Sequence, residues 1–446
     1  MYRIFIAGTF LLISAAAADA ETLKLNFKDA LNMALENNSQ IKAARFSSQA
    51  AARGIQSANS RYLPVVNFEE TLMASNSPTN TFMMKLDEGR FTTNDFAIST
   101  LNNPSAAHDF KTALSVQQPL FVPSLSPLKE IAVKDARKSE LELEAARQSI
   151  AFQVFYTYLE VQKAQAQLKA AEKAVDDARE NLRLAKVRTS AGVGLRSDEL
   201  RSRTHLSSVE QQVLSAQNTL TLTRMKLAML IGVSDDTPYE TTSFQENVPV
   251  PEMSDQVLKD ALENRVEMKR SQTDLQKSDA ALSLARSDYF PTVGAFASYQ
   301  LNAKDAPFMS DNNSWAAGIS LKWNLFDGFR SGSEHARAVS GQSAAREMLE
   351  STTKDIRYQL RESYVRRHEM GKRLEVATNA LQDAEETVRL LSKRFENSLA
   401  TMVELLDAQT ALNQARANVV EAEAGYILSG GQVYYMTGTF VKEMSK

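Results

Sequence analysis

The sequence predicts a mainly α-helical protein in which four short β-strands interrupt long helices, arranged as a tandem structural repeat. One observation is internal duplication: the Ala-Leu-Glu-Asn stretch at 34–37 recurs at 261–264. Arg188 aligns with Arg394 and Gly232 with Gly438, a shift of 206 residues in both cases. A second observation is the scarcity of turn formers, with 16 glycines and 11 prolines in 446 residues. Long helical elements follow from both patterns.

The N-terminal segment 1–20 is predicted to be a signal peptide. Arg3 supplies its positive charge, an apolar run covers Ile4–Ile13, and Ala18-Asp19-Ala20 is an A-x-A cleavage pattern. Beyond it we expect a first repeat at 21–232, a connector at 233–254 and a second repeat at 255–446. Pro238, Pro249 and Pro251 mark the connector.

Long helices are predicted on either side of the strands in each repeat. The predicted helical segments are 25–60, 122–188, 196–230, 255–288 and 328–395. At 1.5 Å per residue the two longest are each roughly 100 Å long. A helix of that length needs partner helices, as in a coiled coil.

Strands are predicted at 64–74, 109–120, 291–301 and 315–326. The last of them alternates, with Trp315, Ile319 and Trp323 on one face and small or polar residues on the other. This alternation is typical of a membrane β-barrel, and an ordinary soluble sheet with one wet face shows it too. Four strands cannot close a barrel, which takes about eight. If the strands span a membrane, two, three or four chains must therefore share one barrel.

Composition excludes several function classes. A formal charge of −3 gives no hint of nucleic-acid binding, which would want a basic face, and the absence of cysteine excludes thiolate metal sites and cysteine nucleophiles. The four histidines are scattered, and no nucleophile–base pair stands out, which argues against a periplasmic hydrolase. An exported coiled-coil structural protein or adhesin remains the alternative to a transport conduit.

Two motifs at the predicted helix tips resemble the TolC family of outer membrane efflux proteins. They are Arg188-Thr-Ser-Ala-Gly192-Val-Gly194-Leu195-Arg196-Ser197-Asp198 and Arg394-Phe395-Glu-Asn-Ser398-Leu-Ala-Thr401-Met-Val-Glu404-Leu-Leu-Asp407. The duplicated helix–strand–strand–helix order and the tyrosine-x-proline entry to each repeat's first strand, at Tyr62 and Tyr289, also fit this family.

The resemblance implies a homotrimer with a 12-stranded membrane β-barrel, to which each chain gives four strands, above a periplasmic α-helical barrel. It implies a passive exit duct of the bacterial outer membrane in tripartite efflux or type I secretion. The implied partners are a periplasmic adaptor protein and an inner-membrane RND or ABC transporter. No cofactor and no catalytic residue is implied.

The resemblance also assigns residues near the tips, at 192–197 and 397–402. Seven of them match the adaptor-docking positions: Val193, Gly194, Leu195, Ser197, Leu399, Ala400 and Thr401. Ser398 stands where the family usually has glycine, so Asn397 is expected to take the left-handed conformation instead.

A periplasmic gate is the other implied site. Glu404 and Asp407 lie three residues apart on one helix face and match the acids that line the narrow end of the tunnel. Asp198, in the neighbouring hairpin, matches a position in the contacts that hold the tunnel shut. Ala400 replaces an arginine found in some members, so we expect Arg394 or Arg196 to latch the gate here.

Overall fold

The structure is a computed structural model that describes residues 23–234, 239–244 and 249–445. The predicted signal peptide lies outside these residues, as does Pro238 of the connector. The first half contains β1 (Leu23–Leu25), α1 (Phe27–Asn37), α2 (Ser39–Ser60), β2 (Val65–Ser75), α3 (Pro78–Asp87), α4 (Ile98–Asn102), β3 (Ala107–Phe121), α5 (Leu125–Ser190) and α6 (Arg196–Ile231). The second contains β4 (Tyr239–Thr241), α7 (Asp255–Asn264), α8 (Val266–Ser287), β5 (Thr292–Ala303), β6 (Asn312–Lys322), α9 (Arg330–Glu396), α10 (Met402–Thr437) and α11 (Phe440–Met444). The predicted mainly helical repeat fold is confirmed.

The chain divides into two compact units, which are described separately. The first takes the described parts of Met1–Lys42, Arg147–Ser254 and Leu360–Lys446, and the second takes Ala43–Ala146 and Asp255–Gln359. No helix among the described residues is both long enough and apolar enough to cross a membrane.

An aromatic cluster forms the core of the first unit. The rings of Phe27 and Phe155 lie 5.3 Å apart, and Phe244 and Phe440 each contact Phe155 edge to face. Nearby, the fully buried Tyr158 hydroxyl is 2.6 Å from the Thr242 carbonyl oxygen and 3.0 Å from that of Leu25. β1 pairs with β4 in parallel at this point. The Tyr158 hydroxyl therefore links α5 to the two-stranded β1–β4 sheet, which the sequence did not predict.

The predicted helices 25–60 and 255–288 are each interrupted once, at equivalent positions of the repeat. Asn38 and Arg265 both adopt extended backbone, with ψ of 128° and 131°. The Asn38 amide donates to the Leu230 carbonyl in the first unit, and the Arg265 guanidinium donates to Gln359 in the second. Each interruption is thus held by a contact with a distant helix, which helical periodicity does not reveal.

A four-stranded antiparallel sheet organises the second unit, in the order β2-β3-β5-β6. β6 ends at Lys322, short of the predicted 326, because its partner β5 begins at Thr292 after Pro291, which has no N–H to pair. The strand is also longer at its start than predicted, since Asn312 pairs with Asn302.

The two faces of this sheet differ in polarity. Directly opposed residues of antiparallel strands point to the same side. One face carries the rows Trp315–Tyr299–Leu114–Phe68 and Ala317–Ala297–Val116–Val66. The other carries Ala316–Ser298–Ser115–Asn67 and Ser314–Gln300–Ala113–Glu69. The apolar face is exposed in the single chain, with Trp315 76 % and Phe68 62 % accessible.

An insertion between β2 and β3, absent from the second repeat, folds on itself. It contains α3, a 3-10 turn at Thr93–Phe96 and α4. Phe91 contacts Phe82 and Phe96 edge to face, and Lys85 pairs with Asp95 at 2.6 Å. The sequence prediction had no element here, because short helices without a repeat counterpart give little periodicity.

The contacts of Tyr158 predict a stability loss on removal of its hydroxyl. Tyr158→Phe keeps the ring and should cost about 1 kcal/mol, because the hydrogen bond from the buried hydroxyl is lost, although Gln162 still donates to the Thr242 carbonyl and the Thr242 N–H to the Leu25 carbonyl. Urea unfolding of the purified protein in detergent, followed by circular dichroism, measures the loss. The matched control is Tyr156→Phe two residues away on α5, where the side chain is 40 % exposed. Equal effects of the two substitutions would contradict the assignment.

Candidate functional site

The first helical tip, residues 188–199, reverses the chain between α5 and α6. Gly192 takes the left-handed conformation with φ of +76°. The N–H groups of Val193 and Gly194 both donate to the Arg188 carbonyl, at 3.0 and 2.9 Å. A Cβ on Gly194 would lie 2.9 Å from the Arg188 carbonyl carbon. The two glycines are therefore needed for different reasons, one for its φ angle and the other for close approach.

The second tip, residues 394–405, makes the same reversal between α9 and α10 with different side chains. Ser398, not Asn397, takes the left-handed conformation, with φ of 60°. The expectation for Asn397 was wrong, because its side chain caps α9 by donating to the Lys393 carbonyl at 2.7 Å. The N–H of Leu399 closes the turn on the Arg394 carbonyl.

Arg188 joins the two tips. Its guanidinium donates to the carbonyls of Phe395 and Glu396 at 2.9 and 3.2 Å, and to the Ser398 hydroxyl at 2.8 Å. It also lies over the Phe395 ring, 4.9 Å from the centroid. Carbonyls at a helix C-terminus are partial negative charges, so a cation is favoured there. Arg188 is thus a clamp between the two hairpins of one chain.

An apolar cluster lies behind this clamp. Ala185 of α5 is buried with Phe395 of α9 and with Met402 and Leu405 of α10. Further from the tips, Asp177 of α5 accepts from Gln409 and Arg416 of α10 at 3.0 and 3.1 Å. The seam between the hairpins is therefore apolar and hydrogen-bonded along this length.

The residues predicted for adaptor docking surround one open cleft at the tips. Its lining includes Val193, Gly194, Leu195, Ser197, Ala400 and Thr401. Leu399 lies on the same tip, and Val193, Leu195 and Leu399 are each 67 % exposed. Apolar side chains so exposed at a chain reversal are suited to packing against another protein.

The predicted gate acids lie near this cleft, both exposed on α10. Glu404 forms a capping box: its carboxylate accepts from the Thr401 N–H at 2.7 Å, and its own N–H donates to the Thr401 hydroxyl. The carboxylate accepts hydrogen bonds from the N–H and, at 2.9 Å, from the hydroxyl of Thr401, and these two bonds, with a smaller contribution from Arg394, hold the pKa of Glu404 below its ordinary value of 4.5. Asp407 lies one turn further along. Asp198, half-buried, lines the cleft from the first tip.

Two features of the site escaped the sequence prediction. The first is the role of Arg188, which the sequence analysis noted only because it aligns with Arg394 in the repeat. The expected latches, Arg196 and Arg394, do not make the hydrogen bonds between the tips that Arg188 makes. Arg196 instead pairs with Glu199 of its own helix, and Arg203 pairs with the same carboxylate at 3.0 Å. Glu199 is buried, at 6 % exposure, so the first tip carries a charged cluster where the second is apolar.

Within the described ranges, no group of three or more histidines and acids is arranged to hold a metal ion.

Long helical hairpins that occur twice, and a four-stranded sheet with one exposed apolar face, define the chain as a helical repeat protein that carries an amphipathic sheet. A model of the outer membrane efflux protein family matches residues 30–233 and 257–439, and the chain belongs to this family. The family is one of outer-membrane channels, whose members work with adaptor and pump partners.

Individual relatives agree with this assignment. The chain is 23 % identical to the outer membrane protein TolC of Vibrio cholerae over 429 residues, covering 94 % of this chain and 92 % of the relative. It is 21 % identical to the alkaline protease secretion protein AprF of Pseudomonas aeruginosa, covering 97 % and 88 %. The fold matches the crystal structure of a Pseudomonas aeruginosa membrane protein with a TM-score of 0.80 at 16 % identity, covering 97 % of this chain and 100 % of that one.

The clamp predicts that Arg188 orders the second tip. Arg188→Ala should speed amide hydrogen exchange at Ser398 and Leu399, because the carbonyls and the hydroxyl it contacts lose their donor. Hydrogen exchange followed by mass spectrometry of peptides covering 394–405 measures this. Arg183→Ala is the matched control, because it removes an exposed arginine that pairs with Glu180 along α5. Unchanged exchange in the Arg188 variant would contradict the clamp.

Proposed function

We propose that the chain is one protomer of a homotrimeric exit duct of the bacterial outer membrane. The duct is a passive conduit, not an enzyme, and leads from a periplasmic adaptor and an inner-membrane RND or ABC pump to the exterior. The observation that carries the proposal is the exposed apolar face of the four-stranded sheet, opposite a polar face. Such a sheet fits a wall with lipid on one side and water on the other.

The sheet edges support the sharing of strands between copies. Within the described residues β2 and β6 are outer strands, each paired on one side. An open edge is not tolerated in lipid, because its backbone groups would have no partner. Pairing of β6 in one copy with β2 in the next closes the sheet. Three copies then give a barrel of twelve strands, the number that membership of this family favours.

Exposed apolar residues on the helices of the first unit support the same assembly. Leu222 and Met229 of α6 are 66 % and 67 % exposed, and Val365 and Val376 of α9 are similarly exposed. Within each pair, the spacing places both residues on one helix face. Neighbouring copies would cover part of these surfaces in a shared helical tunnel.

At the tips, the cleft and its exposed apolar residues form the docking surface for the adaptor. Glu404 and Asp407 face the narrow end of the tunnel, where three copies form an acidic ring that attracts cations. Since a duct wall makes few selective contacts, the pump selects the cargo, in efflux or in type I secretion.

Cell fractionation tests the assembly. The protein should sediment with outer membranes and migrate as an oligomer that dissociates to single chains only after heating, since its barrel strands pair across copies. A monomer in the periplasmic soluble fraction would overturn the duct. That result would favour the alternative of an exported coiled-coil protein.

The acidic ring predicts block by multivalent cations. Glu404→Gln with Asp407→Asn should weaken block of single-channel conductance by trivalent cations at least about tenfold, because a ring of charge binds cations far better than neutral amides do. Glutamine at 404 can still serve in the capping box, so the tip turn is kept. Planar bilayer recordings of the purified oligomer give the measurement.

The control for this double variant is Glu386→Gln. It removes an exposed acid that is paired with Arg389 on α9, about ten residues before the second tip, and so leaves the proposed ring intact. Undiminished block in the double variant would remove Glu404 and Asp407 from the gate.

A further inference from the structure

The connection between β2 and β3, residues 76–106, crosses the four-stranded sheet at the end away from α2 and α5. α3 begins at Pro78, just beyond β2, where the Thr81 hydroxyl donates to the Ser75 carbonyl at 3.1 Å. It ends at Asp87, whose carbonyl accepts from the side-chain amide of Asn312, the first residue of β6, at 3.0 Å. The ten residues of α3 rise about 15 Å, and the three strand spacings from β2 to β6 span about 14 Å. One helix therefore reaches from the first strand of the sheet to the last.

α3 lies on the polar face of the sheet. Ala107 and Asp109 of β3 belong to that face and are buried, whereas His108 between them points to the other face and is exposed. Gly89, just after α3, lies against Asn312 on the same polar face, since a Cβ added to Gly89 would be 3.4 Å from the Asn312 Cβ. The helix therefore covers the polar face and leaves the apolar face to other contacts.

α3 turns one side to the sheet and the opposite side to solvent. Thr81 and Met84 are buried, and they are three residues apart on one side of the helix. Met83 and Leu86, also three residues apart, lie on the opposite side and are exposed. The ring contacts and the ion pair described above hold the remainder of the insertion in a defined conformation.

The corresponding connection of the second repeat, residues 304–311, takes the other side of the sheet. Its Phe308 stacks on Phe68 with 6.1 Å between the ring centroids, and Phe68 belongs to the apolar face. The two connections at this end of the sheet therefore lie on opposite faces, although they occupy equivalent places in the repeat.

We propose that the α3 helices of successive copies form a collar inside the external mouth of the duct, and that this collar limits the size of what passes. The proposal rests on the exit duct proposed above, in which the polar face is the lumen and β6 of one copy pairs with β2 of the next. The long helices lead into the periplasm, so the opposite end of the sheet is the external mouth.

The collar is continuous because each α3 spans the full width of its own sheet. It ends over β6, where β2 of the next copy ends and the next α3 begins. Three helices therefore follow one another around the inner rim, with Met83 and Leu86 of each directed into the lumen. The collar acts through the width of the opening, so it needs no selective contact with the cargo.

Cross-linking between copies tests the continuity of the collar. The chain has no cysteine, so introduced thiols are the only ones present. Ser77→Cys and Asp87→Cys change exposed side chains at opposite ends of α3, about 15 Å apart within one chain. With a short bifunctional maleimide, the double variant should give covalent dimers and trimers on denaturing gels, because its two thiols lie close together in successive copies. Each single variant, as the matched control, should give none.

Two outcomes of this experiment contradict the collar. One is the absence of cross-links in a double variant that still forms heat-sensitive oligomers. The other is equal cross-linking in a single variant. Failure of the wild-type chain to form heat-sensitive oligomers instead overturns the duct itself.

Access from outside the cell tests the size limit. Ala316→Cys places a thiol on the polar face of β6, and Met309→Cys places one at an exposed residue of the 304–311 connection. On intact cells a small maleimide should label both variants. A maleimide attached to a long polyethylene glycol should label Ala316→Cys at least about tenfold more slowly than Met309→Cys, because the polymer has to pass the collar.

Shortening the insertion completes the test. Replacing residues 78–104 with a short glycine–serine turn should remove the difference in polymer labelling. Equal polymer labelling of the two thiols with the insertion intact, or a difference that persists in a shortened variant that still forms oligomers, overturns the size limit. If the shortened variant forms no oligomer, the comparison of Ala316→Cys with Met309→Cys in the full chain decides.

Discussion

The four-stranded sheet has two open strand edges and an exposed apolar face, and these constrain the structure more than any other feature. Among the strands that the structure describes, β2 and β6 are each paired on one side only, and a face with Trp315, Tyr299 and Phe68 is exposed. Hydrogen bonding and apolar burial both have to be completed from outside the chain. These needs are met in the assembly of several copies proposed above, which would also cover exposed apolar residues on the helices. Because each half of the repeat contributes two strands and a long helical hairpin, the same symmetry axis between copies can pair the sheet edges and cover the helices.

Much of this fold was predictable, because its main signals are local. Alternation in β5 and β6 reports directly on the backbone, as does the composition of α5, which has no glycine and whose one proline, Pro127, lies in its first turn. The missed features depend on distant contacts. Asn38 interrupts a helical pattern because its amide bonds to Leu230, far along the chain, and the pairing of β1 with β4 is equally non-local. The insertion at α3 and α4 has no repeat counterpart against which it could be read.

At the tips, the turn geometry was likewise easier to predict from the sequence than the tertiary contacts. Gly192 adopts a positive φ, which glycine tolerates and which its place in a chain reversal makes understandable from the sequence. Ser398 could not be assigned, because serine is no special favourite for this conformation. It is held by Arg188, whose other acceptors are main-chain carbonyls. Carbonyls are present in every residue, so no side-chain pattern announces an arginine that binds them.

The Glu404 carboxylate has two roles: it caps the N-terminus of α10, and it carries part of the negative charge of the proposed gate. Hydrogen bonds from Thr401 favour its ionised form, which lowers its pKa from 4.5. A group whose folded pKa is depressed stabilises the fold above its unfolded pKa, and the effect is lost as pH falls through the folded value. The α10 cap and the negative charge should therefore persist together down to pH values below 4.5. Repulsion within a ring of such acids would act in the opposite direction. The capping box thus favours a charged Glu404 even where three copies bring their carboxylates close.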